Sequence, residues 1–144
     1  MGKKRIIRKS GGSVDQGLKS RSLSRTSKRT VLSGILNIHA TFNNTQVLLA
    51  DQSGNTVAWS SSGALGFAGA KKGTPFAAAK VGELIGDKAV LMGMKEASVV
   101  IRGVGAGRES ALRAFAGKGI DVTKISDDTP MPHNGPRPPK PRRI

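Results

Sequence analysis

From residue 36 the chain alternates. In Leu36-Asn37-Ile38-His39-Ala40-Thr41-Phe42 apolar and polar residues exchange at every step, the period of a half-buried strand. Asn43-Asn44 follows, and asparagine tolerates the positive φ that a two-residue hairpin turn needs. Thr45 to Ala50 is nearly all apolar, as a central strand requires, and Asp51 to Asn55 has the composition of a turn. Thr56 to Ser60 returns as a third strand, so the simplest arrangement is an antiparallel meander.

The period then lengthens. Ser61 to Gly73 is a glycine-rich loop carrying Lys71 and Lys72. Thr74-Pro75 is a helix start, with Thr74 as cap and Pro75 in the first helical position. The helix is expected to reach about Met92, with Ala77, Val81, Leu84, Ile85 and Leu91 on its apolar face and Lys80, Glu83 and Asp87 opposite. Gly82 and Gly86 each lower its intrinsic stability by roughly 1 kcal/mol relative to alanine, so packing must hold it. Ser98 to Arg102 is a buried strand, Gly103 to Gly107 a tight turn, and Arg108 to Lys118 a second helix facing inward with Ala111, Leu112 and Phe115. Ile120 to Ile125 alternates again. Strand, helix, strand in that order implies right-handed crossovers, giving a five-stranded mixed sheet with helices on its faces.

Length and charge then divide the chain. The 144 residues suit one domain and carry a net charge of +15. Residues 1–30 hold +9 and residues 131–144 hold +4, leaving +2 for everything between. The first thirty residues mix Lys, Arg, Ser and Gly with few apolar side chains and read as a basic, flexible extension. Residues 31–128 form the α/β body, and residues 129–144, with six of the seven prolines, form an extended basic tail. Two basic arms on a near-neutral body point to a polyanion as partner. Cysteine is absent, which removes disulfides and thiolate chemistry, and the basic N-terminus lacks the apolar stretch of a secretory signal. With no apolar run long enough to span a bilayer, a soluble, intracellular protein without membrane contact is expected.

Candidate chemistry follows from these positions. Gly103-x-Gly105-x-Gly107 between a strand and a helix can cradle a phosphate, with Arg108 and Arg113 close by. It is not a dinucleotide fingerprint, because Arg108 stands where the third glycine is needed, although Asp127 partly matches the ribose-binding acid. A nucleotide-dependent enzyme using this turn is the alternative reading, and a free basic RNA chaperone is a third. His39 and His133 lie far apart in the chain, in a strand and in the tail, and Asp127 and Asp128 point apart. Catalytic residues, metal ligands, cofactors and a small-molecule substrate are therefore not expected. One Trp, four Phe and no Tyr offer little to stack bases on, leaving backbone and shape recognition of folded RNA.

The strings NIHATFNNT (37–45), GFAGAKKGTPFAA (66–78), GVGAGRESALRA (103–114) and ISDDTPMPHNGPRPPKPRRI (125–144) together resemble the eleventh small-subunit ribosomal protein family. The resemblance implies a ribonuclease-H-like, three-layer α/β/α domain without nuclease activity, within a cytoplasmic or organellar ribosome. It implies a place on the small-subunit platform near the messenger exit, bound to small-subunit ribosomal RNA and beside ribosomal proteins six, seven, eighteen and, in bacteria, twenty-one. The RNA contacts it implies are the Asn43-Asn44 turn, Lys71 and Lys72, Arg108 at the end of its turn, and the tail through His133, Asn134, Arg137, Lys140, Arg142 and Arg143.

Overall fold

The computed structural model describes residues 16–24 and 29–143. Helix α1 (Gln16–Ser24) precedes a meander of β1 (Ser33–Ala40), β2 (Thr45–Asp51) and β3 (Thr56–Ser61). Two short 3-10 turns, Gly63–Leu65 and Gly69–Gly73, lead into α2 (Pro75–Leu91), then β4 (Glu96–Arg102), α3 (Arg108–Ala116) and β5 (Asp121–Asp127). The strand order is β3-β2-β1-β4-β5. β1 is antiparallel to β2 and parallel to β4, β2 is antiparallel to β3, and β4 is parallel to β5. This five-stranded mixed sheet with three helices is consistent with the three-layer α/β class that the resemblance implied.

Alternation decides which side chains are buried. Leu36, Ile38, Val47, Leu49, Ala97 and Val99 project from successive odd or even positions of the central strands and are buried together. Against them lie Ala77, Val81, Leu84 and Ile85 of α2 and Ala111 and Phe115 of α3. The α2 start behaves as the sequence indicates: the Thr74 hydroxyl oxygen accepts from the Ala77 amide at 3.3 Å, and Pro75 opens the helix. Leu91, expected on the apolar face, is instead exposed at the last turn, where Lys88, Ala89 and the capping Met92 are the buried residues.

Three further expectations are refined. β1 stops at Ala40, so the connection to β2 is a four-residue loop rather than a two-residue turn at Asn43-Asn44. Its cause is the Thr41 side chain, whose hydroxyl donates to the Asn44 carbonyl at 3.0 Å and accepts from the Asn44 amide at 3.1 Å, closing the loop one step early. α3 ends at Ala116 and not at Lys118, with Gly117 as its cap. Within residues 1–30, expected to be irregular, Gln16–Ser24 is helical; it has little amphipathic character of its own and is held by Leu23 against the core and by Lys19 Nζ, 3.6 Å from Asp87. Residues 1–15 and 25–28 of that expected extension, and the terminal Ile144, lie outside the described residues.

Helices α2 and α3 cross at close range because Gly82 has no side chain. A Cβ there would overlap the Ala111 carbonyl oxygen, and one on Gly86 would lie 2.6 Å from the Lys118 side chain, which can move. An exposed helical glycine changed to alanine gains about 1 kcal/mol of helix propensity. Gly82→Ala should do the reverse, losing about 1–3 kcal/mol to overpacking, as read by denaturant unfolding. A stabilised Gly82→Ala would show that the helices do not touch there.

Candidate nucleic-acid interface

Open α/β sheets bind ligands beyond the carboxyl ends of their strands, and here that end gathers three loops. β1 ends at Ala40, β4 ends at Arg102, and β2, running the other way, begins beside them at Thr45. Gly105 donates its amide to the Ala40 carbonyl at 2.9 Å. Gly103 sits at φ +95°, and a Cβ on it would overlap that same carbonyl. A Cβ on Gly73 would overlap the Phe42 carbonyl and lie 3.4 Å from Asn43 Cα. The Thr41–Asn44 loop, the Lys71–Gly73 segment and the Gly103–Gly107 turn are therefore in van der Waals contact, although some sixty residues separate the first from the last. Three of the regions singled out in the sequence become one surface.

The side chains of these loops and of α3 differ in exposure and in how they are engaged. Asn44 Oδ1 and Thr45 Oγ1 are buried side-chain oxygens without a hydrogen bond, an arrangement that costs about 1–3 kcal/mol each unless something donates to them. Phe42, Val104 and Met131 are exposed by 77, 61 and 78%. Lys71 is exposed and Lys72 is half-buried, its stem lying along Gly63. Arg113 projects from α3 into solvent and pairs with Glu109 at 3.2 Å, a helix-surface contact worth about 0.3–0.5 kcal/mol that a phosphate can displace.

Arg108 stands elsewhere. Its guanidinium donates to the Gly103 carbonyl, to the Asp127 carboxylate, and to Thr129 Oγ1 at 3.1 Å. The Thr129 hydroxyl in turn donates to Asp127 Oδ1 at 2.5 Å, and the Thr129 amide donates to the same oxygen at 3.0 Å. Arg108 thus faces into the chain, because Asp127 and Thr129 are positioned to take it; it ties the glycine turn to the end of β5. A neighbouring pair, Arg102 Nη2 to Asp128 Oδ2 at 2.5 Å, holds the following residue. Asp127, Thr129, Arg102 and Asp128 carry no RNA-binding signal of their own in the sequence. An aspartate two residues before a threonine is nonetheless the pattern of an Asx-type turn, and it marks where the tail is fixed.

Beyond Thr129 the tail is exposed and without regular structure through Arg143. Asn134 takes the left-handed conformation at φ +59°, immediately before Gly135. His133, Asn134, Arg137, Lys140, Arg142 and Arg143 are all exposed along this segment, which leaves the body next to the three loops.

The clamp carries a pH signature. Hydrogen bonds from the Thr129 side chain, Arg108 and the Thr129 backbone pull Asp127 from the ordinary 3.8 down to about 2. Because the folded pKa is depressed, its contribution is full above the unfolded pKa, near 4, and is lost as pH falls to about 2. Asp127→Asn should therefore lower the melting temperature by a constant amount above about pH 4, and the gap to the unmodified chain should close toward about pH 2. A gap that does not change over this range would show that Asp127 titrates as in the unfolded chain and the clamp does not form.

The strands, the three converging loops and the clamped tail occupy almost all of the stretch, residues 34–143, matched by the sequence model of the family described as Ribosomal protein S11. That match covers well over half of the chain, and the protein belongs to this family of small-ribosomal-subunit proteins.

Proposed function

We propose that the protein is a structural constituent of the small subunit that binds small-subunit ribosomal RNA and helps form the platform near the messenger exit. The observation that carries this reading is the meeting of the Asn43-Asn44 loop, the Lys71-Lys72 segment and the Gly103 turn at one end of the sheet, with the basic tail pinned beside them by Arg108. A body of +2 between arms of +9 and +4 fits a division in which the folded part sets shape and the arms supply charge. On this reading Lys71, Lys72 and Arg113 meet phosphates from the body, and Arg137, Lys140, Arg142 and Arg143 from the tail, with His133 and Asn134 at the point where it bends. Arg108 acts by holding that tail. The extension 1–30 adds a second cationic arm. Ribosomal proteins six, seven, eighteen and, in bacteria, twenty-one are the neighbours this placement implies, in a cytoplasmic or organellar ribosome.

The nucleotide-dependent alternative finds less support. Gly103, Gly105 and Gly107 make room for Ala40, Thr41 and Thr45 of the protein itself, and Asp127 is engaged by Arg108 rather than open to a ribose.

If the arms and loops engage about six to ten phosphates, affinity for a small-subunit RNA fragment should fall by about 10³- to 10⁵-fold between 50 and 200 mM salt. Truncation after Pro130 should flatten that slope by about three to four counterions, one for each tail cation. Co-sedimentation of the full chain with small subunits at physiological salt is the accompanying expectation. Salt-independent binding, or a truncated chain with the full slope, overturns the reading.

A further inference from the structure

At the β3 edge of the sheet, α1, α2 and β3 enclose a cavity of about 490 Å³. We propose that this cavity binds a phosphate group, held between Lys88 of α2 and Arg21 of α1.

The alternation of β3 sets the floor. Val47 and Leu49 of β2 are buried in the core, and their partners across the ladder are Ser60 and Ala58. Ser60 and Ala58 therefore face α2, and they line the cavity together with Leu65. Ser60 is 4% exposed, and its hydroxyl has no partner among the described residues.

Lys88 forms the α2 wall. It is only 6% exposed and has no hydrogen bond or ion pair among the described residues. Burial pulls its pKa down from 10.5, the desolvation that an unpartnered ammonium suffers. The adjacent acid on its helix, Asp87, is already engaged by Lys118 at 2.7 Å and Lys19 at 3.6 Å. No acidic side chain lines the cavity, whereas Arg21 brings a second unpaired cation to it from α1. What these walls lack is an anion.

The arrangement of donors favours phosphate over carboxylate. An ammonium, a guanidinium and a hydroxyl reach the cavity from three separate elements, and the oxygens of a tetrahedral anion point in as many directions, while the two of a carboxylate lie in one plane. The volume lies within the range of about 300–1,000 Å³ typical of ligand sites, enough for a phosphate that carries further groups. Lys88 lies thirteen residues beyond Pro75, about 20 Å along the helix, so the site is separate from the loop surface at the start of α2 and does not rest on it. Free phosphate and an RNA backbone offer the same group.

The test follows the Lys88 Cε resonance of the full chain, identified by its loss in Lys88→Met or, should that variant not fold, by sequential assignment. At constant ionic strength inorganic phosphate should shift it saturably and raise the Lys88 titration midpoint toward 10.5, because a bound anion favours the ammonium form. Acetate should need at least about tenfold more. Arg21→Gln, at an exposed helix position, should weaken phosphate by about tenfold, the loss of one charge-assisted contact. A short unstructured oligoribonucleotide without terminal phosphates separates the sources. Saturation at a lower phosphate concentration than the inorganic ion requires identifies an RNA backbone, and weaker or absent saturation identifies free phosphate; either supports the proposal. A resonance moved by neither probe, acetate saturating as tightly as phosphate, or unchanged binding in Arg21→Gln overturns it.

Discussion

The loop surface exists because backbone touches backbone at the end of the sheet. The carbonyls of Ala40, Thr41 and Phe42 project where Gly103, Gly105 and Gly73 come against them, and any side chain at those glycines would push the three loops apart. Sheet register fixes the carbonyls, α2 fixes Gly73 through the Thr74 cap, and β4 fixes Gly103 at its exit. A ligand approaching this end therefore meets one shaped surface. Shape matters here, since the aromatic residues that could stack single bases are few and a phosphate backbone is read mostly by where its contacts stand.

Arg108 shows how charge is divided. In a chain of +15 one more cation facing a polyanion adds little, while a guanidinium with a fork of donors can join three acceptors at once. Turned inward, it joins the glycine turn, the last strand and the first residues of the tail. The cations that follow are then displayed from a defined origin instead of a frayed end. Arg102 with Asp128 reinforces the same point from the neighbouring position.

What the sequence made legible was what local physics decides. Period-two alternation located the strands, and Thr74-Pro75 located the start of α2, because both depend on neighbours in the chain. The Thr41–Asn44 loop was harder: two asparagines suggest a tight turn, but a threonine hydroxyl two residues upstream closed the loop first. Helix α1 was not legible, since its residues form no apolar stripe and it is held by Leu23 and Lys19 reaching elements far along the chain. The inward turn of Arg108 depends on Asp127 and Thr129, nineteen and twenty-one residues away. Gly82 reads as a weakness of α2 and is in fact the notch that admits α3. Of the candidate surface, the loops and the tail cations are visible as separate stretches of sequence, whereas the clamp that relates them is not.

The position of β5 has a consequence for the order of events when the chain is made. β1, β2 and β3 are joined by short links and can pair as soon as they are available, but β4 reaches β1 only after α2, and β5 reaches β4 only after α3. Asp127 and Thr129 meet Arg108 only once β5 has docked in register, so the take-off point of the tail is set by the last step of folding. A full-length chain whose β5 has not docked has all its positive charge but no fixed origin for the tail's share of it, and it meets RNA as a loose polycation. A completed chain presents loops and tail in one geometry. The clamp thereby acts as a mark of completion, distinguishing a fully folded chain from a full-length one with its last strand undocked, by shape when charge alone could not.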